Sequence, residues 1–286
     1  MTGPLRIIAG IDLGPETERV VSYAAQFAGR TNSTVRLLYV IDYLLTPPSY
    51  LSEYVEQERK KEEAEMGRWK LFLEREGIPA ECSVVLGRLH ESFVKAIGET
   101  SAGLLVIGFK SHMFRPSSSE RLIKSLRVPM LVAKGKTAAG QARIKKILCP
   151  VDFSENSKKA VVAAAGYASL FSAELTVVHI IPSYHLKERW KAWESMEDGE
   201  RKQCDEVLHA EAETGLASLC AEAGTDSKGE VYQGHPAEMV PSLAEEGAYD
   251  LIVMGARGLS YVESVLLGST TEAVLKASPC PVLIVH

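Results

Sequence analysis

The chain has 286 residues, of which 46% are hydrophobic and 24% charged, and a formal net charge of −5. That balance describes a globular chain of roughly two domains and excludes an intrinsically disordered one. Without a lysine/arginine face to neutralise phosphates or an apolar run near membrane-spanning length, neither nucleic acid nor membrane is expected as a partner. The start, "MTGPLRIIAGIDLG", lacks the basic and apolar regions of a signal peptide. Five scattered cysteines with no CxxC pair predict free thiols, and hence a cytoplasmic protein.

Taken in chain order, "RIIAGID" from Arg6 predicts a strand ending in Asp12, then a polar turn, an alanine-rich helix and a second strand, "VRLLYVID". Residues 49–76 are charged with periodic apolar positions, a long helix stopping at Gly77. A strand ending at Gly87, a helix, the strand "GLLVIG" at 103–108, a loop with a short helix, and the strand "PMLVAK" complete the half. The stretch 135–146, "GKTAAGQARIKK", is a small, polar linker.

The series then starts again. "KILCPVD" ends in Asp152, 140 residues after Asp12, and is followed by an alanine-rich helix and the strand "LTVVHIIP". Residues 184–223 predict a long helix stopping at Gly224. Gly234 pairs with Gly87, Glu238 with Glu91, "DLIVMG" at 250–255 with 103–108, and 277–286 with 125–134. Matching segments in one order make an internal repeat. Short apolar runs alternating with helices predict, in each half, a five-stranded parallel sheet with helices on both faces.

The richest stretch is "GARGLSYVESVLLGSTTEAV", Gly255 to Val274, where a strand hands over to a helix. Open α/β sheets bind ligands outside the carboxyl ends of their strands. Gly255 and Gly258 are expected to take positive φ and let backbone approach a ligand closely. Gly268, Ser269 and Thr270 open the last helix, where free N–H groups, the helix dipole and hydroxyls favour a phosphate. The plainer alternative is a set of glycines that only shape the connection. Neither a Walker A loop nor a GxGxxG fingerprint is present.

The spacing Gly-x2-Gly-x9-Gly-Ser resembles the nucleotide-binding signature of the ATP-binding branch of the universal stress protein family. "ILCPVDFSENSKKAV", "VHIIP", "GHPAEMV", "YDLIVMGARG" and "SPCPVLIVH" look like that family's other blocks. The resemblance covers both halves, taken as domains 1–138 and 139–286. It implies two tandem Rossmann-like domains of the adenine nucleotide alpha hydrolase-like type. It also implies that ATP or AMP, with or without Mg²⁺, binds the second domain of a nucleotide-dependent stress-response regulator. In this family pattern Asp152, flanked by Pro150 and Val151, meets the adenosine, and Val178 packs on the adenine. Gly234, Met254 and Gly255 line the groove, while Arg257, Gly258, Gly268, Ser269 and Thr270 hold the phosphates. A carboxylate such as Asp152 accepts from ribose hydroxyls or an adenine amine; the competing role, in "DFSE", is a helix N-cap. The resemblance further implies that the terminal strands of the two domains pair within the chain, with a homodimer as the next level of assembly.

The first half departs from this pattern. Gly108 is kept, but Ser111 and Pro116 stand where the second and third glycines belong, and the loop is five residues shorter. Ser117, Ser118 and Ser119 supply hydroxyls and N–H groups at a helix start where an anion could bind, but read rather as an ordinary helix cap, and no ATP site is expected there. Cys204 and His209, five apart on a helix, do not face one metal. His179 and His235 are expected to be buried and hydrogen-bonded, and Trp190 and Trp193 to lie on an apolar helix face. Asp152 and Glu263 are the carboxylates available for phosphoryl chemistry, without a Walker B or kinase-type set around them. Binding is therefore expected rather than catalysis; a slow ATPase and a nucleotide-free scaffold stand as alternatives.

Overall fold

The computed structural model describes residues 5–42, 52–109, 118–135, 143–182, 198–258 and 267–286, without the side chains of 52–55, 58, 198, 199 and 201. The chain divides into two compact units, Met1–Ala142 and Arg143–His286.

In the first unit the strands are β1 (Arg6–Gly10), β2 (Thr34–Asp42), β3 (Ala80–Gly87), β4 (Leu104–Gly108) and β5 (Met130–Ala133). Between them lie α1 (Thr17–Thr31), α2 (Ser52–Arg75), α3 (Leu89–Thr100) and α4 (Ser118–Ile123). The strands are parallel, in the order β3-β2-β1-β4-β5. The second unit repeats the plan with β6 (Lys146–Val151), β7 (Glu174–Pro182), β8 (Lys228–Gly234), β9 (Leu251–Gly255) and β10 (Val282–Val285). Its helices are α5 (Glu155–Phe171), α6 (Asp198–Glu222), α7 (Pro236–Glu246) and α8 (Ser269–Ala277), and its parallel order is β8-β7-β6-β9-β10.

Strands β4, β5, β9 and β10 are apolar without alternation and buried at nearly every position. Successive side chains of a strand point to opposite faces, so unbroken burial means helices cover both. The alanines that give α5 its composition lie against the sheet: Ala160, Ala164 and Ala168 are buried, and α5 packs on β6 and β9. The helix stops fall where glycine permits them. Gly77 takes φ +75° and Gly224 φ +65°, each two residues past its helix. Cys149, Cys220 and Cys280 are buried free thiols, and burial pushes the Cys149 thiol pKa far up, leaving it inert.

Each unit runs outward from its first strand to its third and then returns to the other side of the first. The order therefore reverses between β1 and β4, and between β6 and β9. A crevice opens at the carboxyl ends of such strand pairs.

Candidate functional site

In the second unit, β6 delivers Asp152 to the mouth of that crevice. The turn that follows is tight: the Ser154 N–H donates to Asp152 Oδ1 at 3.1 Å, and Phe153 takes φ +63°. Left-handed backbone at a bulky residue costs about 1 kcal/mol, so the rest of the turn must enforce it. Ser154 is the N-cap of α5, its hydroxyl accepting from the Ser157 N–H at 3.2 Å. The cap role weighed for Asp152 thus belongs to Ser154, while Asp152 closes the turn before it. The first unit carries the same turn, with Leu13 at φ +54° and Asp12 Oδ1 accepting the Gly14 N–H at 2.9 Å.

Phe153 makes a contact the sequence did not announce. Its ring lies 4.5 Å from the His179 ring, and its edge fills the space beside Gly215 of α6. His179 Nδ1–H donates to the Val151 carbonyl at 2.8 Å, and burial holds the imidazole pKa below its usual value. His179 is the hydrogen-bonded histidine that was expected. His235, expected to be buried, is exposed instead, at the N-cap position of α7. Its position at the end of β8, outside the sheet's cover, explains the difference.

From the other side of the switch, β9 ends at Gly255 and the chain continues through Ala256, Arg257 and Gly258. None of the three signature glycines uses positive φ; among the described glycines that conformation belongs to Gly77, Gly135, Gly224 and Gly234. Gly268 sits at φ −72° and ψ 153°, open to any residue. The expectation of positive φ is therefore corrected: what these positions need is the absence of a side chain. A Cβ on Gly255 would meet the Asn156 backbone at 2.9 Å, so this glycine lets the first turn of α5 close on β9. A Cβ on Gly258 would collide with Asp152 Oδ2, and one on Gly268 would reach Arg257 Cα at 3.3 Å. The Gly268 N–H is also spent, donating to the Ala256 carbonyl at 2.8 Å and closing the insert on itself.

The remaining positions follow from this frame. Ser269 is exposed and Thr270 half-buried in the first turn of α8, whose N-cap, Gly268, brings no side chain to the N–H groups of that turn. The neighbouring Thr271, not singled out from sequence, is buried and donates its hydroxyl to the Gly255 carbonyl at 3.0 Å, tying α8 to β9. Pro150 pairs in register with Val178, and Val151 with His179. Val178 and Met254 are enclosed, 1% and 5% exposed, and offer an adenine ring little surface. Gly234 ends β8, two strands from β6, which at ordinary strand spacing is about 10 Å away. Arg257 is half-buried at the start of the insert. The structure thus brings Asp152, Arg257, Gly258, Gly268, Ser269 and Thr270 together, and sets Gly234 apart.

Residues 259–266, with Glu263, and 110–117, with Ser111, Pro116 and Ser117, lie outside the described residues, as do Trp190, Trp193 and the domain boundary at 138/139. Among the described residues no group of three His, Cys, Asp or Glu is placed to hold a metal ion. Cys204 and His209 join no such group, and His209 faces Glu213 instead, 3.4 Å away. No described helix is long and apolar enough to cross a membrane.

Comparison with known proteins agrees with the repeat. The model of the Universal stress protein family matches twice, at residues 5–134 and 143–286. A universal stress protein of Thermus aquaticus is 35% identical over 145 residues, covering 50% of this chain and 98% of its own length. One from Methanocaldococcus jannaschii is 32% identical over 149 residues, 51% of this chain and 84% of its own. Over the whole length, a crystal structure of a universal stress protein from Archaeoglobus fulgidus superposes with a TM-score of 0.72, covering 98% of this chain and 96% of that one, at 21% identity.

Proposed function

The chain belongs to the universal stress protein family, with two such domains in tandem, and we propose that the second unit binds an adenine nucleotide, AMP or ATP, and works as a nucleotide-dependent regulator. The observation that carries this reading is the meeting of Gly258 with Asp152 beside the start of α8. There the chain has removed a side chain where backbone passes a carboxylate. The seat left over has a carboxylate on one side for ribose or adenine hydrogen bonds, and helix N–H groups, Ser269, Thr270 and Arg257 on the other for phosphate. Mg²⁺ would be carried in with a triphosphate rather than held by the protein alone.

Calorimetric titration of the full chain with AMP, ADP and ATP, with and without Mg²⁺, tests this. One nucleotide per chain is expected, and Asp152→Ala should weaken adenosine and ATP alike by at least about tenfold, or 1.4 kcal/mol. No binding, or undiminished binding to Asp152→Ala, overturns it. Release of ADP over hours in the same samples would point to the slow ATPase alternative.

A further inference from the structure

The first unit, which lacks two of the three signature glycines, nevertheless holds a cavity of about 500 Å³ at its own switch point, between the carboxyl ends of β1, β2 and β4. That volume suits a small molecule. Its walls are apolar, with Ile11, Val20, Ile41, Phe93, Ile107 and Leu122 among them.

The charged part of the lining is acidic. Asp12, Glu16 and Asp42 all line the cavity, and its described lining contains no lysine or arginine. Arg19 pairs with Glu16 from outside the lining. The corresponding positions of the second unit, offset by the same 140 residues, are Asp152, Asn156 and Pro182. Two of the three carboxylates are therefore particular to the first unit. A phosphate entering here would meet like charge in a partly enclosed space, which disfavours it.

A second observation points to a ligand. Thr17, at the start of α1, is only 2% exposed and lines the cavity, and its hydroxyl has no hydrogen-bond partner among the described residues. Its counterpart Ser157 is satisfied, donating to the Ser154 carbonyl at 2.9 Å. An enclosed hydroxyl without a partner costs about 1–3 kcal/mol, and the repeat itself shows that the position need not bear that cost.

We propose that the first unit's cavity is a binding site for a small organic amine, a cation with an apolar body and a group that hydrogen-bonds Thr17. An ammonium complements the carboxylates where a nucleotide does not, and the apolar walls select an organic cation over a metal ion. In agreement, no three described acidic, histidine or cysteine side chains are placed to hold a metal.

The probe is tyramine, with 4-ethylphenol as the same body without the charge and AMP as the competing anion, titrated into the full chain by calorimetry. Tyramine should bind once per chain, at least tenfold more tightly than 4-ethylphenol and undisplaced by AMP. Thr17→Val and Asp42→Asn should each weaken it at least fivefold. Asp152→Ala, in the other unit, should leave it unchanged, which keeps this test separate from that of nucleotide binding. Thr17→Val should also melt no lower than the parent in the absence of ligand, since it removes an unpartnered hydroxyl while keeping the shape. Equal binding of tyramine and 4-ethylphenol, displacement by AMP, or a Thr17→Val chain that binds tyramine like the parent would each overturn the proposal.

Discussion

Gly258 passes so close to Asp152 that even a methyl group on the glycine would overlap the carboxylate oxygen Oδ2. The two residues are 106 apart in sequence and come from the strand ends that flank the switch point. Their approach fixes the Asp152 carboxylate from one side while the Ser154 N–H fixes it from the other. Gly258→Ala is therefore expected to rotate the carboxylate out of place and weaken adenosine and ATP about tenfold, near 1.4 kcal/mol, with a melting temperature close to the parent's. Calorimetry beside a thermal melt separates the two effects. A variant that binds normally would mean that the carboxylate's position does not matter.

Gly255 should behave in the opposite way. Its missing Cβ faces the Asn156 backbone, which cannot rotate aside as a side chain can. Gly255→Ala is expected to destabilise the chain by about 1–3 kcal/mol through overpacking, seen as a lower denaturant midpoint. Nucleotide affinity measured well below the transition should change far less. Unchanged stability would show that α5 can shift without cost.

Gly268 separates size from conformation. Its backbone angles suit valine, and alanine there makes only a tight contact with Arg257 Cα at 3.3 Å. Gly268→Ala should bind ATP within about threefold of the parent, whereas the larger Gly268→Val should lose about tenfold by pushing Arg257 away. Equal losses for both variants would restore a conformational role for the glycine.

The strands, the repeat and the helix stops were legible because each rests on local chemistry: apolar runs, alanine-rich faces, and glycine at Gly77 and Gly224. The same local reasoning misjudged the signature glycines. Positive φ is a property of one residue, whereas the closeness of Gly255 to Asn156 and of Gly258 to Asp152 depends on which strands become neighbours. Thr271 and Phe153 escaped notice for the same reason, since their partners, the Gly255 carbonyl and the His179 ring, lie across the sheet. A signal for Phe153 did exist: a bulky residue follows the strand-end aspartate in both halves, at Leu13 and Phe153. The acidic cavity of the first unit was hidden because Asp12, Glu16 and Asp42 converge only once β2 lies beside β1.

His179 ties the site to pH. Burial lowers its pKa more than the Val151 carbonyl and the nearby Asp152 raise it, so the folded value lies below the ordinary one. An unfolded chain then takes up the proton first, near pH 6.5. The stability that neutral His179 contributes is complete above that pH and is lost as pH falls through the folded value. The added proton goes to Nε2 and leaves the Nδ1–H bond to Val151 in place, so the cost of charging the ring is its desolvation beside Phe153. Melting temperatures between pH 8 and pH 5 should therefore fall on the acid side for the parent. His179→Gln, which can still donate to the Val151 carbonyl but takes up no proton, should show a shallower fall over the same range. Parallel profiles for parent and variant would mean that other groups set the acid limb and that His179 has no part in it.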